Sequence, residues 1–312
     1  MSIIVAGSVF VDIKGHPEGE YIPDGRNAGR IEQVHGGVAR NIAEDIARAG
    51  GKTVFLGLLE DDALGREVAA HLEEVGVDVS RVRFVKDGMG VWLAVFDDRG
   101  DVAASISKRP DLTPLLAILE EEGDAVFAEA ESVLFELDLE EATVAKLCSL
   151  AEKHRVPACA AVSNMSIAAE RRAYLSKLRC FVCNDQEWGM LSPGPWETMT
   201  PEEMAPALPE SMAALGLASL VVTLGKRGAV WAEGSRSGFC PPEPVEPVDT
   251  AGAGDSFFAG VGLGLSLGKS LEEACRIGSR MAAKVITTTQ SVCPPMTAEE
   301  LGLSQIEAEA SI

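Results

Sequence analysis

Val248-Asp249-Thr250-Ala251-Gly252-Ala253-Gly254-Asp255-Ser256-Phe257 sets two glycines and an aspartate directly before an apolar run that reaches Leu267. That pattern predicts a tight turn feeding the start of a helix. The first N–H groups of a helix have no partner within it, and the aligned peptide dipoles favour negative charge there. Gly252 and Gly254 let an anion come close to the main chain. With Ala253 between them they form a candidate anion hole, and Asp255 falls in the first turn beside it. A carboxylate so placed accepts a proton from an attacking hydroxyl while the N–H groups stabilise a transferring phosphoryl group. The same residues equally suit an ordinary helix start, where Asp is common.

Outward from this turn the chain alternates strand and helix patterns. Strands are expected near Val133–Leu137, Pro157–Val162, Cys180–Cys183 and Ser219–Thr223, with helices near Glu140–His154, Ile167–Lys177 and Pro201–Leu215 between them. Gly228 to Glu233 and Gly238 to Cys240 read as edge strands, and two helices close the chain near Ala253–Leu267 and Leu271–Thr288. At the other end, Ile3 to Phe10 reads as a buried strand ending at Asp12. Helices at Val38–Ala49 and Ala63–Val75 then flank a strand at Thr53–Gly57. Residues 13–35 show no helical period. Arg81–Lys86, Gly90–Phe96 and Val102–Ser107 read as short strands with turns at Asp87-Gly88 and Asp98-Arg99-Gly100. Alternating strands and helices imply an α/β fold with a mostly parallel sheet covered on both faces. The expected organisation is one domain over residues 1–312, with a small β lid from about 13–35 and 81–107. The tail after Ala298 reads as polar and peripheral.

Composition narrows the function. A net charge of −21 repels polyanions, so neither nucleic acid nor an anionic membrane surface is an expected partner. Any phosphate site must then be built locally from backbone groups. The N-terminus lacks the pattern of a signal peptide, and the apolar stretch from Phe257 to Leu267 is interrupted by Gly260, Gly262 and Gly264. Seven cysteines, an odd number scattered through core-like segments, fit reduced thiols, so a cytoplasmic location is expected. Three other signals carry no function. Gly264-Leu265-Ser266-Leu267-Gly268-Lys269-Ser270 is one residue short of a P-loop and follows a helix. The Gly260, Gly262 and Gly264 series lies within a helix and reads as close packing. Cys180-Phe181-Val182-Cys183 has no second pair for zinc and sits on a strand.

The Asp-Thr-x-Gly-Ala-Gly-Asp-x-Phe run resembles the C-terminal signature of the ribokinase-like, or PfkB, family of sugar and nucleoside kinases. Gly36-Gly37-Val38-Ala39-Arg40-Asn41, running to Gly50, is similar to that family's other signature. Asn184-Asp185-Gln186-Glu187 and Thr223-Leu224-Gly225-Lys226-Arg227-Gly228 follow in the family's order. The resemblance implies a three-layer αβα sandwich with a small β-sheet lid. It also implies transfer of the γ-phosphoryl group of ATP to a hydroxyl, with Asp255 as general base and Gly252, Ala253 and Gly254 as anion hole. Asn184 and Glu187 would order Mg²⁺, largely through water, and the triphosphate. Thr223, Gly225 and Gly228 would contact ATP, and Asp12, Gly36, Gly37 and Asn41 would hold the acceptor. Asp249 would border a K⁺ site, and a homodimer through the lid is implied. Taken singly, Asp12 fits a turn, Asn41 a solvated helix face and Glu187 an exposed helix charge.

The N-terminal motifs Val11-Asp12-Ile13-Lys14-Gly15, Asn27-Ala28-Gly29-Arg30 and Gly36-Gly37-Val38-Ala39-Arg40-Asn41 resemble pseudouridine kinases, which makes the 5′-hydroxyl of pseudouridine the expected acceptor. Arg26-Asn27-Ala28-Gly29 and Ser107-Lys108-Arg109 depart from the usual pattern near the acceptor. Ribokinase- or fructokinase-type chemistry is an alternative. A phosphofructokinase-type reading would use Arg40, Lys14 or Lys108 for an acceptor phosphate, and a non-catalytic sugar- or nucleotide-binding regulator is the remaining reading.

Overall fold

The computed structural model describes residues 2–303. Its strands are β1 (Ser2–Gly7), β2 (Phe10–Pro17), β3 (Gly29–Gly36), β4 (Thr53–Glu60), β5 (Val77–Asp78), β6 (Arg83–Val85) and β7 (Gly90–Phe96), then β8 (Val102–Lys108), β9 (Ala130–Glu136), β10 (Ala158–Ala161), β11 (Cys180–Asn184), β12 (Ser219–Thr223), β13 (Ala229–Glu233) and β14 (Arg236–Cys240). Ten form a central sheet in the order β14-β13-β12-β11-β10-β9-β1-β4-β5, with β6 also alongside β4. Pairings from β12 to β5 are parallel, and β13 and β14 add an antiparallel edge.

Alternate residues explain the three layers. On β1, Ile3 and Val5 join one core cluster while Ile4 and Ala6 join another. The first cluster includes Ile42 and Ile46 of the Val38–Arg48 helix, Phe258 of the Ala253–Ser266 helix and Ile277 of the Leu271–Ile286 helix. The second includes Leu147 of the Glu141–His154 helix and Leu208 of the Pro201–Ala214 helix. A sheet buried on both faces needs continuous apolar runs, which the central strands have. The expected α/β sandwich with a mostly parallel sheet is therefore present.

The two closing helices touch at the backbone. A Cβ on Gly260 would lie 2.6 Å from the Gly278 Cα, and one on Gly262 would lie 2.2 Å from Leu134 Cδ2. Close packing is thus the reason for that glycine series. The P-loop look-alike is a helix end and a new start: Gly268 is left-handed (φ 73°), and Ser270 and Glu273 form a capping box. All seven cysteines are free and buried.

A second sheet has the order β3-β2-β7-β8. Phe10 at the start of β2 pairs with Gly36 at the end of β3 and Gly90 at the start of β7, and Val91 pairs with Lys108 at the end of β8. All four connections to the body therefore leave from one end of this sheet. The loops 18–28 and 97–101 lie at the other.

Three expectations need correction. The first strand does not run on to Asp12: the chain leaves the central sheet after Gly7, and Asp12 lies inside β2. Both segments contain buried apolar residues, so periodicity does not reveal the break. Residues 83–85 pair with β4 in parallel and do not belong to the small sheet, whose second half begins at Gly90. The segment expected as one helix from Ile167 splits into Met165–Ala168 and a 3₁₀ stretch, Ala169–Lys177. Helices Leu115–Glu121 and Gly123–Ala128 were not anticipated, although Leu115, Ile118 and Leu119 carry the helical spacing. Ala298–Leu301 is a short helix with Leu301 buried, and residues 304–312 of the expected tail lie outside the described residues.

Candidate active site

Gly252 caps the Ala253–Ser266 helix in a left-handed conformation (φ 76°). A Cβ there would lie 1.9 Å from the Ser291 carbonyl oxygen, so only glycine fits. Gly254, two residues on, is different. Nothing lies within 4 Å of where its Cβ would point. The first turn of this helix therefore faces open space, as an anion site requires. Asp249 braces the turn, its Oδ1 accepting from the Ala251 N–H at 2.9 Å.

Asp255 lies partly covered beside that opening. The Asn41 amide Nδ2 donates to its Oδ2 at 2.7 Å. Burial pushes the Asp255 carboxyl up to about 7, opposed by the Asn41 hydrogen bond, raised further by the Asp45 charge and lowered by Arg40. Asp45 is fully buried; it accepts from Ser256 Oγ at 2.6 Å and from the Cys293 N–H at 2.7 Å. Burial raises its carboxyl to about 6 despite those bonds. The group at the helix start is thus a carboxyl that titrates near neutrality, as an effective general base needs.

A cleft of about 480 Å³ opens next to the turn. Thr223, Gly225, Gly228, Ala253 and Gly254 all line it, together with Thr250. Three residues expected at the nucleotide and two of the anion hole thus share one cavity. Its walls include Val245, Phe257 and Ile286, which suit a planar apolar group. Asn184 pairs in register with Thr223 at the carboxyl ends of β11 and β12. It forms a capping box with Glu187: Asn184 Oδ1 accepts from the Glu187 N–H at 2.8 Å, and Glu187 Oε2 accepts from the Asn184 N–H at 2.7 Å. One Glu187 oxygen is therefore engaged in closing a helix. Among the described residues no cluster of three His, Cys, Asp or Glu side chains is arranged to hold a metal ion.

Among the residues expected at the acceptor, Asp12 and Gly36 are neighbours, and a Cβ on Gly36 would lie 3.0 Å from Asp12 Oδ2. Burial raises the Asp12 carboxyl above its ordinary value, against the Lys14 and Arg40 charges. Gly37 is left-handed (φ 98°) and starts the helix that carries Asn41. Asn41 is not the solvated helix residue that its position alone allows. It is buried and held between Asp255 and Arg40.

Residues 1–297 match the model of the pfkB family of carbohydrate kinases. The chain belongs to this family. It is 34% identical over 296 residues to the guanosine-inosine kinase of Exiguobacterium acetylicum, covering 94% of this chain and 97% of that protein. It is 23% identical over 271 residues to the pseudouridine kinase of Escherichia coli, covering 83% and 82% of the two chains. The ribokinase of Arabidopsis thaliana, solved with ribose and ATP, superposes with a TM-score of 0.82 at 23% identity, covering 97% of this chain and 99% of the other. This pfkB protein is thus a phosphotransferase with an alcohol group as acceptor. None of its described helices is long and apolar enough to cross a membrane.

Sequence reasoning about the pfkB chain missed several buried polar groups. Glu44 is fully buried and bonds Arg40, Arg48 (2.5 Å) and His71 (3.0 Å). Glu136, at the end of β9, accepts from the Ser8 N–H (2.7 Å) and from the Ala39 N–H (3.2 Å). It therefore caps the Val38–Arg48 helix from across the sheet, where Gly37 has no side chain to do so. The i, i+4 series Arg40, Glu44 and Arg48 was the available signal, yet charges at that spacing usually lie on a solvated face.

Proposed function

We propose that this protein is an ATP-dependent nucleoside kinase that phosphorylates the 5′-hydroxyl of its acceptor. The observation that carries this is the placing of Asp255, held by the Asn41 amide at 2.7 Å, beside the open anion turn at Gly254. ATP would occupy the cleft beside Thr223 and Gly225, with its γ-phosphate at the N–H groups of Ala253 and Gly254. Mg²⁺ would be held by the triphosphate and by water on Asn184 and Glu187, since Mg²⁺ keeps several waters when bound to phosphates. It would supply charge neutralisation on the β- and γ-oxygens. Asp249 would border a K⁺ ion with its second oxygen. Asp255 then takes the proton of the attacking hydroxyl, and the helix start stabilises the phosphoryl group in flight.

The acceptor side supports a base as well as a sugar. Asp12 pairs in register with Trp92, so both project from the same face of the small sheet. Trp92 meets Phe96 edge-on at 6.4 Å, and Phe96 stacks on His16 at 4.6 Å. Such a strip suits a nucleobase. The greater likeness to a guanosine-inosine kinase favours a purine nucleoside, and pseudouridine is the second reading, on the N-terminal motifs. A sugar-phosphate acceptor has less support: the Arg40 fork is spent on Glu44, His35 and Asn41, and Lys108 pairs with Asp87 at 2.5 Å. The small sheet would act as the lid that excludes water as a competing nucleophile. Its opposite face exposes Ile31 (79%), Leu93 (41%) and Ile106 (70%), which fits a homodimer formed lid to lid. Light scattering should give twice the chain mass, and Ile106→Lys should halve it; a monomeric parent would remove this part. An ATP-using enzyme with seven free thiols belongs in the cytoplasm.

An acceptor screen tests the function. Guanosine or inosine should exceed ribose and fructose in kcat/KM by about tenfold or more, because a base pocket adds contacts that a free sugar lacks. Preference for pseudouridine would move the assignment to the second reading. Preference for a free sugar or a sugar phosphate would overturn the nucleoside proposal.

A further inference from the structure

Arg40 touches neither the cleft nor the anion turn, yet its guanidinium settles how the base is held. It is buried, with 2% exposure. One nitrogen of its fork donates to Glu44; the other donates to the His35 carbonyl and to Asn41 Oδ1 at 2.5 Å. A guanidinium has donors only. The Asn41 amide must therefore turn its oxygen to Arg40 and its nitrogen to Asp255. Reversal would set two oxygens against each other at Asp255 and two donors against each other at Arg40.

Glu44 in turn is fixed by Arg48 and by His71 of the Ala63–Glu74 helix. The Arg40 Nε–H remains buried without a partner. One nitrogen of the fork is anchored on Glu44, and the other ties the His35 carbonyl near the end of β3 to the amide that holds the base.

Resting on the reading of Asp255 as general base, we infer that Arg40 is a positioning residue, which locks the Asn41 amide so that its N–H faces Asp255 and thereby keeps that carboxylate ionised and aimed. Asn41 donates one of its two amide hydrogens to Asp255, and the other stays available to a hydroxyl of the acceptor. The lock thus also holds a hydrogen bond for the substrate.

The consequence is a pH signature. The charged groups facing Asp255 are Arg40 and Asp45 from the Val38–Arg48 helix. Behind them stand Glu44, Arg48 and His71, His35 with its partner Glu67, the Cys293 thiol against Asp45, and Asp12 on β2. Arg40 and the Asn41 N–H both favour the ionised base. Removing Arg40 takes away one directly and frees the amide to withdraw the other.

The test is the pH profile of kcat for Arg40→Met, with ATP and the best acceptor saturating. Its acid limb should move up by about one pH unit. In an Asn41→Ala background the same substitution should move it by less than half as much, because the lock has nothing left to hold. If Arg40→Met fails to fold with Glu44 left behind, Arg40→Met/Glu44→Gln removes both charges and is read in the same way. A drop in kcat at every pH with an unmoved acid limb would overturn the inference, as would no change, or equal shifts in both backgrounds. Asp255→Asn is assayed alongside. If it keeps its turnover, the base assignment itself fails; if it is inactive and the Arg40 limb stays put, only the lock fails.

Discussion

Asp255→Asn should fold, bind ATP and lose about 10²- to 10⁴-fold in kcat, the span typical of general-base removal. The substitution is nearly isosteric, and the new amide oxygen still accepts from Asn41 Nδ2, so the local packing persists. The variant should also be more stable than the parent, by an amount that depends on pH. Burial raises the Asp255 carboxyl from 3.8 to about 7 in the folded protein. Below pH 4 both folded and unfolded chains hold the proton, and this residue costs no stability. Between pH 4 and 7 the unfolded chain releases it first, so the parent loses stability as pH rises; above 7 the loss is complete. Asparagine does not titrate. At pH 8 it should therefore gain roughly 2–4 kcal/mol over the parent, with the gain vanishing near pH 4. Paired denaturant titrations at the two pH values measure this. An inactive variant with no pH-dependent gain would mean that Asp255 is not the desolvated carboxyl described above.

Gly252→Ala and Gly254→Ala should separate two uses of glycine two residues apart. At Gly252 a methyl group would sit 1.9 Å from the Ser291 carbonyl oxygen, and the backbone is left-handed. The strain alone costs about 1–3 kcal/mol, and the clash forces the turn to move. Moving it displaces the N–H groups of Ala253 and Gly254. The expected result is a lower melting temperature together with a fall in kcat of about 10²-fold or more, the order seen when oxyanion donors are lost. At Gly254 the methyl group meets nothing, and alanine is the better helix former by about 1 kcal/mol. This variant should melt no lower than the parent yet bind ATP more weakly, because the methyl group enters the space assigned to phosphate. Equal melting losses in both variants would show that Gly254 is structural. Unchanged ATP affinity in Gly254→Ala would place the phosphates elsewhere.

What is legible in the sequence is what depends on neighbours in the chain. The glycine turn before Asp255, the Gly36-Gly37 helix start and the apolar strands each carry a local pattern, and all are present. The site's wiring has no such pattern. Asn41 and Asp255 are 214 positions apart, and their bond exists only because the Val38–Arg48 and Ala253–Ser266 helices pack together. Arg40 reads in the sequence as a candidate for an acceptor phosphate; only the packing shows it buried, with its fork on Glu44, the His35 carbonyl and Asn41. Glu136 lies 97 positions from the N–H group that it caps. Likewise, three residues of β6 cannot announce whether they pair with β4 or with β7, since strand partners are chosen by tertiary packing.

The one-ended attachment of the small sheet makes it a cantilever. Strand β2 has eight residues. At about 3.3 Å each, its tip stands about 26 Å from its root, so a 10° rotation at the root swings the tip by about 4–5 Å. The same rotation hardly moves Asp12, three residues from the fulcrum, or the helix start at Gly37. A distance label on Arg99, in the tip loop, therefore reads such a rotation with the greatest gain. The residues around Asp255 keep their spacing while the far end of the beam travels.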